Sequence, residues 1–325
     1  MILAADIGAT NTRVGLFSAD GNSPVLVSSR RFINRDFANL DAVFDEFVPA
    51  SCKDVATVSL GVAGLVINGR VHITNLGWDI DSSRLRARFD GATVALLNDV
   101  EATAYGLASL SESDVVVLNP GKPIVGAPKA LIASGTGLGE AVVYSHGNSE
   151  LVVASEAGHA DFAPAQESQV QLLNYLWQRF TPVSWDRVLS GPGLGFIYEF
   201  FRDKNSGKEL AHIAAQLRTG DAGAAIAGAA LRRECELCCS ALDLFVAIYG
   251  SEAGNHALRT LSLGGVYLGG GIAPKIVAKL RDVTFMQAFC HKDRMEAFMS
   301  SVPVYVIMNE ETALLGAARY AHSRE

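Results

Sequence analysis

The sequence has little of several features that define whole classes of protein. Positive charge is in deficit, because 27 Lys and Arg residues stand against 34 Asp and Glu, for a net charge of −7. This balance disfavours nucleic acid or an anionic membrane surface as a partner. No uninterrupted apolar run has the length of a membrane span, and residues 1–20 lack the basic start of a secretory signal. We therefore expect no nucleic acid, no membrane and a cytoplasmic location.

Cysteine is scarce and odd in number, with five residues among 325. In a chain without a secretory start, this favours reduced thiols over a disulfide framework. Cys235, Cys238 and Cys239 contain the C-x-x-C spacing of zinc sites, but no second Cys or His pair is near them in the sequence. A structural zinc ion normally needs four ligands, so we interpret these residues as buried helix cysteines.

The remaining composition is that of a globular protein, 49% hydrophobic and 19% charged, and the length is sufficient for two lobes. Apolar strands alternate with amphipathic helices in the first third, which indicates an α/β protein. The expected elements there are strands at 2–6, 13–17, 24–32, within 56–66 and at 93–98, with helices at 39–48 and 99–110.

The second part of the chain continues the alternation. Its expected elements are strands at 115–118, 130–144 and 151–155, helices at 168–180, 191–202 and 209–218, and a final strand and helix after Val302. Residues 222–260 predict two helices or one bent helix, broken near Gly250 to Gly254. A strand, a glycine turn and a strand occur at 2–17 and again at 130–144, so the two parts share one unit.

The first glycine turn follows an acid. In "ILAADIGATNTRVGLF", Asp6 ends an apolar strand, and a Cβ at Gly8 is expected to obstruct the backbone. Thr10 and Asn11 offer short polar groups and backbone donors, which makes the turn a candidate phosphate loop. Asp6 is placed to hold a hydrated Mg²⁺, which prefers oxygen ligands. An ordinary hairpin with an Asx turn is the alternative.

Two further glycine segments suit a nucleotide. "SGTGLGEAVV" places Gly135, Thr136 and Gly137 between two apolar strands, and it lacks the helix that follows a dinucleotide-binding fingerprint. Gly269, Gly270 and Gly271 precede a helix that Pro274 begins, which suits close approach to a ribose or adenine. Tight packing of strand on helix is the alternative for this last segment.

Two polar pairs are candidates for substrate contact. Asn98 and Asp99 follow a buried strand, where Asp99 can accept the proton of an attacking hydroxyl and where both residues are also favoured as helix caps. Glu156 and His159 are three residues apart around Gly158, and both can form hydrogen bonds with a polyol. A structural role for the histidine is the alternative.

These segments together resemble the bacterial ATP-dependent glucokinases of the sugar kinase, heat-shock-protein and actin superfamily. The resemblance runs over nearly the whole chain, in the family's order, through "ADIGATNTR", "LNDVEATAYG", "SGTGLGE", "SEAGHADFAP", "RVLSGPGL", "LGGGIAPK" and "ETALLGAARY". It implies an α/β, two-lobed, actin-like and ribonuclease H-like sugar kinase fold with a deep interlobe cleft. The implied domains are a small one, 1–110 plus 309–325, and a large one, 111–308.

The resemblance also implies the site. Asp99 is the implied general base, glucose or a similar hexose the substrate, and Mg-ATP the donor. The implied sugar ligands are Asn98, Asp99, Glu156, His159 and Asp186. The implied nucleotide-binding residues are Asp6, Gly8, Ala9, Thr10, Asn11, Gly135, Thr136, Gly137, Gly269, Gly270 and Gly271, with Asp6 holding Mg²⁺ through water. Family members commonly form homodimers, so a homodimer is implied here.

Three positions depart from the family pattern. Ala9 and Ala157 occupy positions where the family often has glycine, and Asp186 occupies the position of a glutamate that contacts glucose. The shorter carboxylate of Asp186 leaves open a kinase for another hexose or an amino sugar. A catalytically silent sugar-binding regulator and an actin-like or chaperone ATPase are the alternatives from other classes; the intact Asp6, Asp99 and glycine turns disfavour the regulator.

Overall fold

Two separately packed units make up the chain in a computed structural model, which describes residues 1–21, 23–48, 54–147, 149–204 and 206–324. The first unit comprises Met1–Ser113 and Asn309–Glu325, and the second comprises Asp114–Met308. Each unit has its own hydrophobic core.

The first unit is built on a mixed sheet. Its strands are β1 (Ile2–Ile7), β2 (Asn11–Ser18), β3 (Val25–Ile33), β4 (Thr57–Val62), β5 (Arg70–Ile73), β6 (Trp78–Asp81) and β7 (Thr93–Asn98). Its helices are α1 (Leu40–Phe47), α2 (Ser82–Arg88), α3 (Asp99–Gly106) and, from the end of the chain, α13 (Thr312–His322). Among the described residues, the main sheet has the order β3-β2-β1-β4-β7, in which β1, β4 and β7 are parallel and β1, β2 and β3 are antiparallel.

The local sequence explains the helix starts that position this unit's site. Asn39 caps α1, because its Oδ1 accepts a hydrogen bond from the Ala42 N–H at 2.9 Å. The predicted helix at 39–48 is thereby confirmed. Helix α3 packs closely on α13, because a Cβ at Gly106 would lie 2.0 Å from the Thr312 carbonyl oxygen. The C-terminal end of α3 is therefore held close to the start of α13.

The second unit has a larger mixed sheet. Its strands are β8 (Val115–Asn119), β9 (Lys129–Ser134), β10 (Leu138–His146), β11 (Ser149–Ser155), β12 (Gly265–Gly269) and β13 (Val304–Ile307). Its helices are α4 (Glu167–Leu176), α5 (Trp185–Val188), α6 (Gly191–Asp203), α7 (Ala211–Thr219), α8 (Ala222–Leu231), α9 (Glu236–Thr260), α10 (Val277–Leu280), α11 (Val283–Cys290) and α12 (Glu296–Ser301). The sheet order is β11-β10-β9-β12-β13-β8.

The predicted repeat of strand, glycine turn and strand is confirmed. Strands β1 and β2 pair antiparallel in the first unit, and β9 and β10 do so in the second. In each sheet the first strand of the hairpin also pairs with a parallel neighbour, β4 or β12. The two sheets are therefore built around the same local unit.

The predicted helix break at Gly250 to Gly254 is wrong. Helix α9 runs without interruption through both glycines, and the break falls instead between α8 and α9, at residues 232–235. A Cβ at Gly250 would lie 2.3 Å from the Phe285 carbonyl oxygen, and one at Gly254 would lie 2.6 Å from that of Phe289. The glycines therefore allow α11 to approach the backbone of α9 closely, and tertiary packing outweighs their low helix propensity.

Helix α9 is long and apolar enough to cross a membrane by length and composition, which amends the expectation drawn from the sequence. Within its most apolar window, 78% is buried inside the second unit, as in the core helix of a soluble protein. Cys235 caps this helix, since its Sγ accepts from the Cys238 N–H at 3.4 Å, and both cysteines are buried as predicted. Over the ranges that the structure describes, no group of three or more His, Cys, Asp or Glu residues is arranged to hold a metal ion.

Candidate active site

Two acidic side chains of the first unit lie where parallel strands end. In the register of β1, β4 and β7, Ile7 is level with Val62, and Val62 is level with Asn98. Asp6 is thus the last residue but one of β1, and Asp99 directly follows β7. Both acids come to the same edge of the sheet, where open α/β sheets place ligands.

Asp6 lies in surroundings that disfavour its charge. Burial, and after it the neighbouring Asp99 carboxylate, raise the pKa of Asp6, Arg13 opposes the rise, and the resulting pKa is about 7. Arg13 also forms ion pairs with Glu310 and Glu311 before α13. Negative charge is concentrated here, and a cation would favour the ionised form of Asp6.

Asn98 and Asp99 act together at the start of α3. The Asn98 Oδ1 accepts a hydrogen bond from the Val100 N–H at 2.9 Å, and the Asn98 Nδ2 donates one to the Gly64 carbonyl at 3.3 Å. Asp99 Oδ1 also accepts from the Val100 N–H, at 2.9 Å. The predicted helix cap is confirmed, and it fixes the direction in which the Asp99 side chain leaves the helix.

The first glycine turn is held by a buried residue that the sequence reasoning missed. Asn34 is 1% exposed, its Nδ2 donates to the Gly8 carbonyl at 2.8 Å, and its N–H donates to the Thr10 carbonyl at 2.9 Å. The turn is closed by a hydrogen bond from the Gly8 N–H to the Asn11 carbonyl at 3.0 Å. The expectation that a Cβ at Gly8 would be obstructed is wrong, because its nearest atom would be the Asn11 oxygen at 3.4 Å, an ordinary contact. Ala9, between these residues, lines a cavity of ≈ 810 Å³ within the first unit.

The second glycine turn is closed in a similar way. The Gly135 N–H donates to the Gly137 carbonyl at 2.8 Å, and the Gly191 N–H donates to the Gly135 carbonyl at 2.8 Å. The Ser134 Oγ donates to the Leu189 carbonyl at 2.8 Å. The segment from Leu189 to Gly191, which leads into α6, is therefore held against this turn by hydrogen bonds.

A cavity of ≈ 350 Å³ lies beside the second turn, entirely within the second unit. Its walls are the turn, the N-terminal end of α6, one face of α8 and the segment after β12. The lining includes Gly135, Thr136, Gly191, Asp221, Gly271 and Lys275. The sequence reasoning brought the turn and Gly271 to one site but missed α6 and α8. The Ser-Gly-Pro start of α6, in which Ser190 caps the helix by accepting from the Gly193 N–H, was the available signal.

The three glycines at the end of β12, Gly269 to Gly271, differ in role: close packing explains one of them, and another borders space for a ligand. Gly270 has a φ of +80°, and a Cβ there would lie 2.3 Å from the Ser134 carbonyl oxygen, so its glycine is structural. Gly269 ends β12, where a Cβ would lie 3.1 Å from Leu131 Cδ1. Gly271 lines the cavity, and around an added Cβ no heavy atom of the described chain lies within 4 Å. Close packing thus accounts for Gly270, while Gly271 has room for a ligand.

The remaining candidate sugar ligands lie around the start of β10 in the second unit. Glu156 and His159 flank a short turn, with Oε2 and Nε2 3.9 Å apart and both side chains about 70% exposed. Gly158, between them, packs on Leu138, whose carbonyl oxygen would be 2.1 Å from an added Cβ. The Asp186 Oδ1 accepts a hydrogen bond from the Leu138 N–H at 2.8 Å. Leu138 therefore contacts both segments.

Comparisons with known proteins agree with this fold. The family profile described as Glucokinase matches residues 3–324. The chain is 36% identical over 333 residues to a glucokinase from Nostoc punctiforme, covering 98% of each chain. The crystal structure of a glucokinase from an Antarctic psychrotroph matches with a TM-score of 0.85 at 31% identity, covering 99% of this chain and 98% of that one. A ROK family glucokinase from Streptomyces griseus, solved with glucose and AMPPNP, matches at a TM-score of 0.64 and 20% identity, over 99% of each chain, and shows the fold alone.

The fold is that of the two-lobed, actin-like sugar kinases, as the sequence predicted. The chain belongs to the glucokinase family. Its activity is the ATP-dependent phosphorylation of glucose, so the enzyme is a kinase, and the resemblance drawn from its motifs is confirmed.

Proposed function

We propose that the reaction is in-line transfer of the γ-phosphoryl group of ATP to the 6-hydroxyl of glucose, with Asp99 as general base. The observation that carries this proposal is the meeting of Asp6 and Asp99 at one edge of the first sheet. A carboxylate at the start of α3 can orient the hydroxyl and accept its proton as the new O–P bond forms. Because the transition state of phosphoryl transfer is loose, the protein mainly positions reactants and stabilises charge.

The cavity of the second unit is the proposed nucleotide site. Gly135, Thr136 and Gly137 form the loop beneath the phosphates, and Gly271 is the contact for the adenosine. The N-terminal end of α6 lines the same cavity, and since its Gly191 and Gly193 N–H groups are already paired with the Gly135 carbonyl and Ser190 Oγ, it would favour an anion through the helix dipole. The lining carries one charge of each sign, from Lys275 and Asp221, and Lys275 is the proposed contact for the phosphates. The AMPPNP complex of the Streptomyces griseus structure supports a nucleotide site in this fold.

The first turn, Gly8 to Asn11, is the proposed second phosphate loop, and Asp6 is the proposed anchor for hydrated Mg²⁺. The donor chemistry fits, because Asp6 is a partly buried oxygen ligand whose pKa is raised by burial and, after it, by the nearby Asp99. A divalent cation would oppose that effect and favour the carboxylate. When bound, Mg²⁺ would neutralise charge on the phosphates of ATP.

The proposed glucose ligands are Asn98, Asp99, Glu156, His159 and Asp186. Their carboxylate, amide and imidazole groups can each bond a hydroxyl, and a site of paired hydrogen bonds rejects an analogue that lacks one hydroxyl by ~10⁴ or more. The exposed, adjacent side chains of Glu156 and His159 support this role. Asp186 is shorter than the family's glutamate, so preference for another hexose or an amino sugar is the outcome to test against glucose.

We further propose that the first unit is the small domain predicted at 1–110 plus 309–325, and that the second is the large domain predicted at 111–308. The units that the internal contacts define support this division. A homodimer and a cytoplasmic location complete the proposal. Light scattering of the purified protein would test the dimer, and a monomeric mass at micromolar concentration would contradict it.

The experiment that tests the function is ADP production from Mg-ATP with no sugar, glucose, mannose, fructose, glucosamine or N-acetylglucosamine. We expect strong turnover with glucose and little without sugar. Turnover with another sugar alone would retain the mechanism and change the substrate. Binding of sugar without turnover would favour the silent regulator and remove Asp99 from its role.

A further inference from the structure

The Asp186 carboxylate contacts the second glycine turn directly. Its Oδ1 accepts a hydrogen bond from the Leu138 N–H at 2.8 Å, at the point where the turn enters β10. The same oxygen would lie 2.6 Å from a Cβ at Gly137, a distance that side chains do not tolerate. Gly137, at the end of the turn, and Leu138, the first residue of β10, therefore both lie against this carboxylate.

Asp186 belongs to the segment from Trp185 to Gly191, which forms three hydrogen bonds with the second glycine turn and its flanking residues. Besides the carboxylate contact at Leu138, the Leu189 carbonyl accepts from the Ser134 Oγ at 2.8 Å. The Gly191 N–H donates to the Gly135 carbonyl at 2.8 Å. Two of these contacts use the backbone of the segment, and the third uses the Asp186 side chain. A substitution of Asp186 therefore removes one of these hydrogen bonds and leaves the other two.

The base of this segment is rigid. The Trp185 side chain is 1% exposed and packs edge-on against Phe162, with ring centroids 5.1 Å apart. The Trp185 N–H donates to the Ala160 carbonyl at 3.0 Å. Asp186 thus projects from a fixed point of the core, and its carboxylate can hold the turn in place rather than follow its movements.

We propose that Asp186 is a positioning residue for the second phosphate loop, acting on ATP through Leu138 and Gly137. This inference rests on the proposed function, in which Gly135 to Gly137 bind the phosphates of ATP. It assigns Asp186 a task on the nucleotide side that contact with sugar does not account for. An accepting oxygen is what the task needs, since the partner is a backbone N–H.

Three variants test this inference. Asp186→Ala removes the acceptor, Asp186→Asn keeps an acceptor oxygen of the same reach without the charge, and Gly137→Ala pushes the carboxylate away. We expect Asp186→Ala and Gly137→Ala each to raise the KM for ATP by about 10- to 100-fold, the range set by loss of a hydrogen bond to a charged group. Asp186→Asn should keep the KM for ATP within a few fold of the wild-type value, because its amide oxygen can still accept from the Leu138 N–H. Because Asp186 is also a proposed glucose ligand, the KM for glucose can rise in its variants as well, and the diagnostic readout is the KM for ATP, which should rise in both Asp186→Ala and Gly137→Ala.

The double variant supplies a second readout. If both substitutions break one contact, Asp186→Ala combined with Gly137→Ala should be no worse than either alone, because neighbouring effects on one interaction do not add. Fully additive losses would overturn the inference. A rise confined to the KM for glucose, or an Asp186→Asn variant as impaired as Asp186→Ala, would overturn it too. Thermal unfolding of each variant shows whether the second unit remains folded.

Gly271→Val separates failure of this inference from failure of the proposed nucleotide site. A side chain at Gly271 enters open space of the cavity, so the fold should tolerate it while ATP is excluded. Loss of ATP binding in Gly271→Val, with an unchanged KM for ATP in Asp186→Ala, overturns the role of Asp186 alone. An unchanged KM for ATP in Gly271→Val would overturn the proposed nucleotide site, and the proposed role of Asp186, which depends on that site, would be overturned as well.

Discussion

Replacing Glu140 with glutamine should remove a pH dependence from the stability of the second unit. Glu140 lies in β10 with its side chain completely buried, beside the equally buried Glu252 of α9. The His256 Nδ1 is 3.4 Å from its Oε2. Burial, and after it the neighbouring Glu252 carboxylate, raise the pKa of Glu140, Arg259 opposes the rise, and the resulting pKa is about 8. The native state therefore holds a proton on Glu140 that the unfolded chain releases.

The sign and size follow from proton linkage. An unfolded glutamate titrates near its ordinary value of 4.5, so between pH 4.5 and about 8 the native state binds more protons than the unfolded state. Stability then falls as pH rises through this window. At ~1.4 kcal/mol per pH unit, the window gives an upper bound of about 5 kcal/mol, and sharing of the proton with Glu252 reduces this to roughly 2–4 kcal/mol. Burial lowers the pKa of His256, which keeps that ring neutral in the upper part of the window.

The assay must report on the second unit alone. The chain has three tryptophans, so in a Trp78→Phe background the signal comes from Trp177 and Trp185, which lie in the second unit. Urea unfolding at pH 5.5, 7 and 8.5 should show a growing advantage of Glu140→Gln over its parent as pH rises. Glu236→Gln, a change of an exposed acid on α9, is the matched control and should track the parent. An advantage that does not change with pH would refute a buried proton on Glu140.

Three further predictions concern Asp6 and Asp99, at the edge of the first sheet, and the packing of α9. Asp99→Asn should lower kcat by ~10²–10⁴ without changing the melting temperature, and steady-state kinetics with a near-normal kcat would exclude the general base. Asp6→Asn should raise the Mg²⁺ concentration for half-maximal rate, since a neutral amide holds the ion less well; an unchanged Mg²⁺ titration would place the ion elsewhere. Gly250→Val should destabilise the second unit by ~3 kcal/mol or more, because its Cβ would meet the Phe285 carbonyl at 2.3 Å. Unaltered urea unfolding would show that α11 can move away at little cost.

The sequence was informative where structure is determined locally. Apolar periodicity and the Asn39 cap located α1, and alternation located both hairpins with their glycine turns. Strand ends predicted the cap at Asn98 for the same reason, since a helix start is a matter of adjacent residues. The short β5–β6 hairpin and α2 were not predicted, because a pair of four-residue strands carries too few apolar positions to define a period.

The sequence was misleading where a distant segment decides. Gly250 looks like a helix breaker by propensity, yet its role depends on α11, some thirty-five residues later. Gly8 looks sterically required, yet the turn it begins is held by Asn34, which no local rule connects to it. Glu140 was visible as a lone acid in an apolar strand, but its buried neighbour is on α9. Each case is a contact between elements, and one sequence gives no register for such contacts.

The two glycine turns share a backbone plan and differ in charge, and this difference bears on the reaction. The first turn follows Asp6, which lies near Asp99, so the phosphates of ATP would meet negative charge there unless a cation is present. The second turn, Ser134 to Gly139, contains no charged residue and lies beside the N-terminal end of α6. On the proposed assignment of the two turns, nucleotide would therefore bind to the second unit without metal, whereas engagement of the first turn would require it. We accordingly expect ATP affinity without Mg²⁺ to respond to Gly271→Val and to be indifferent to Asp6→Asn. An equal loss in both variants, measured by calorimetry in excess chelator, would contradict this division between the turns.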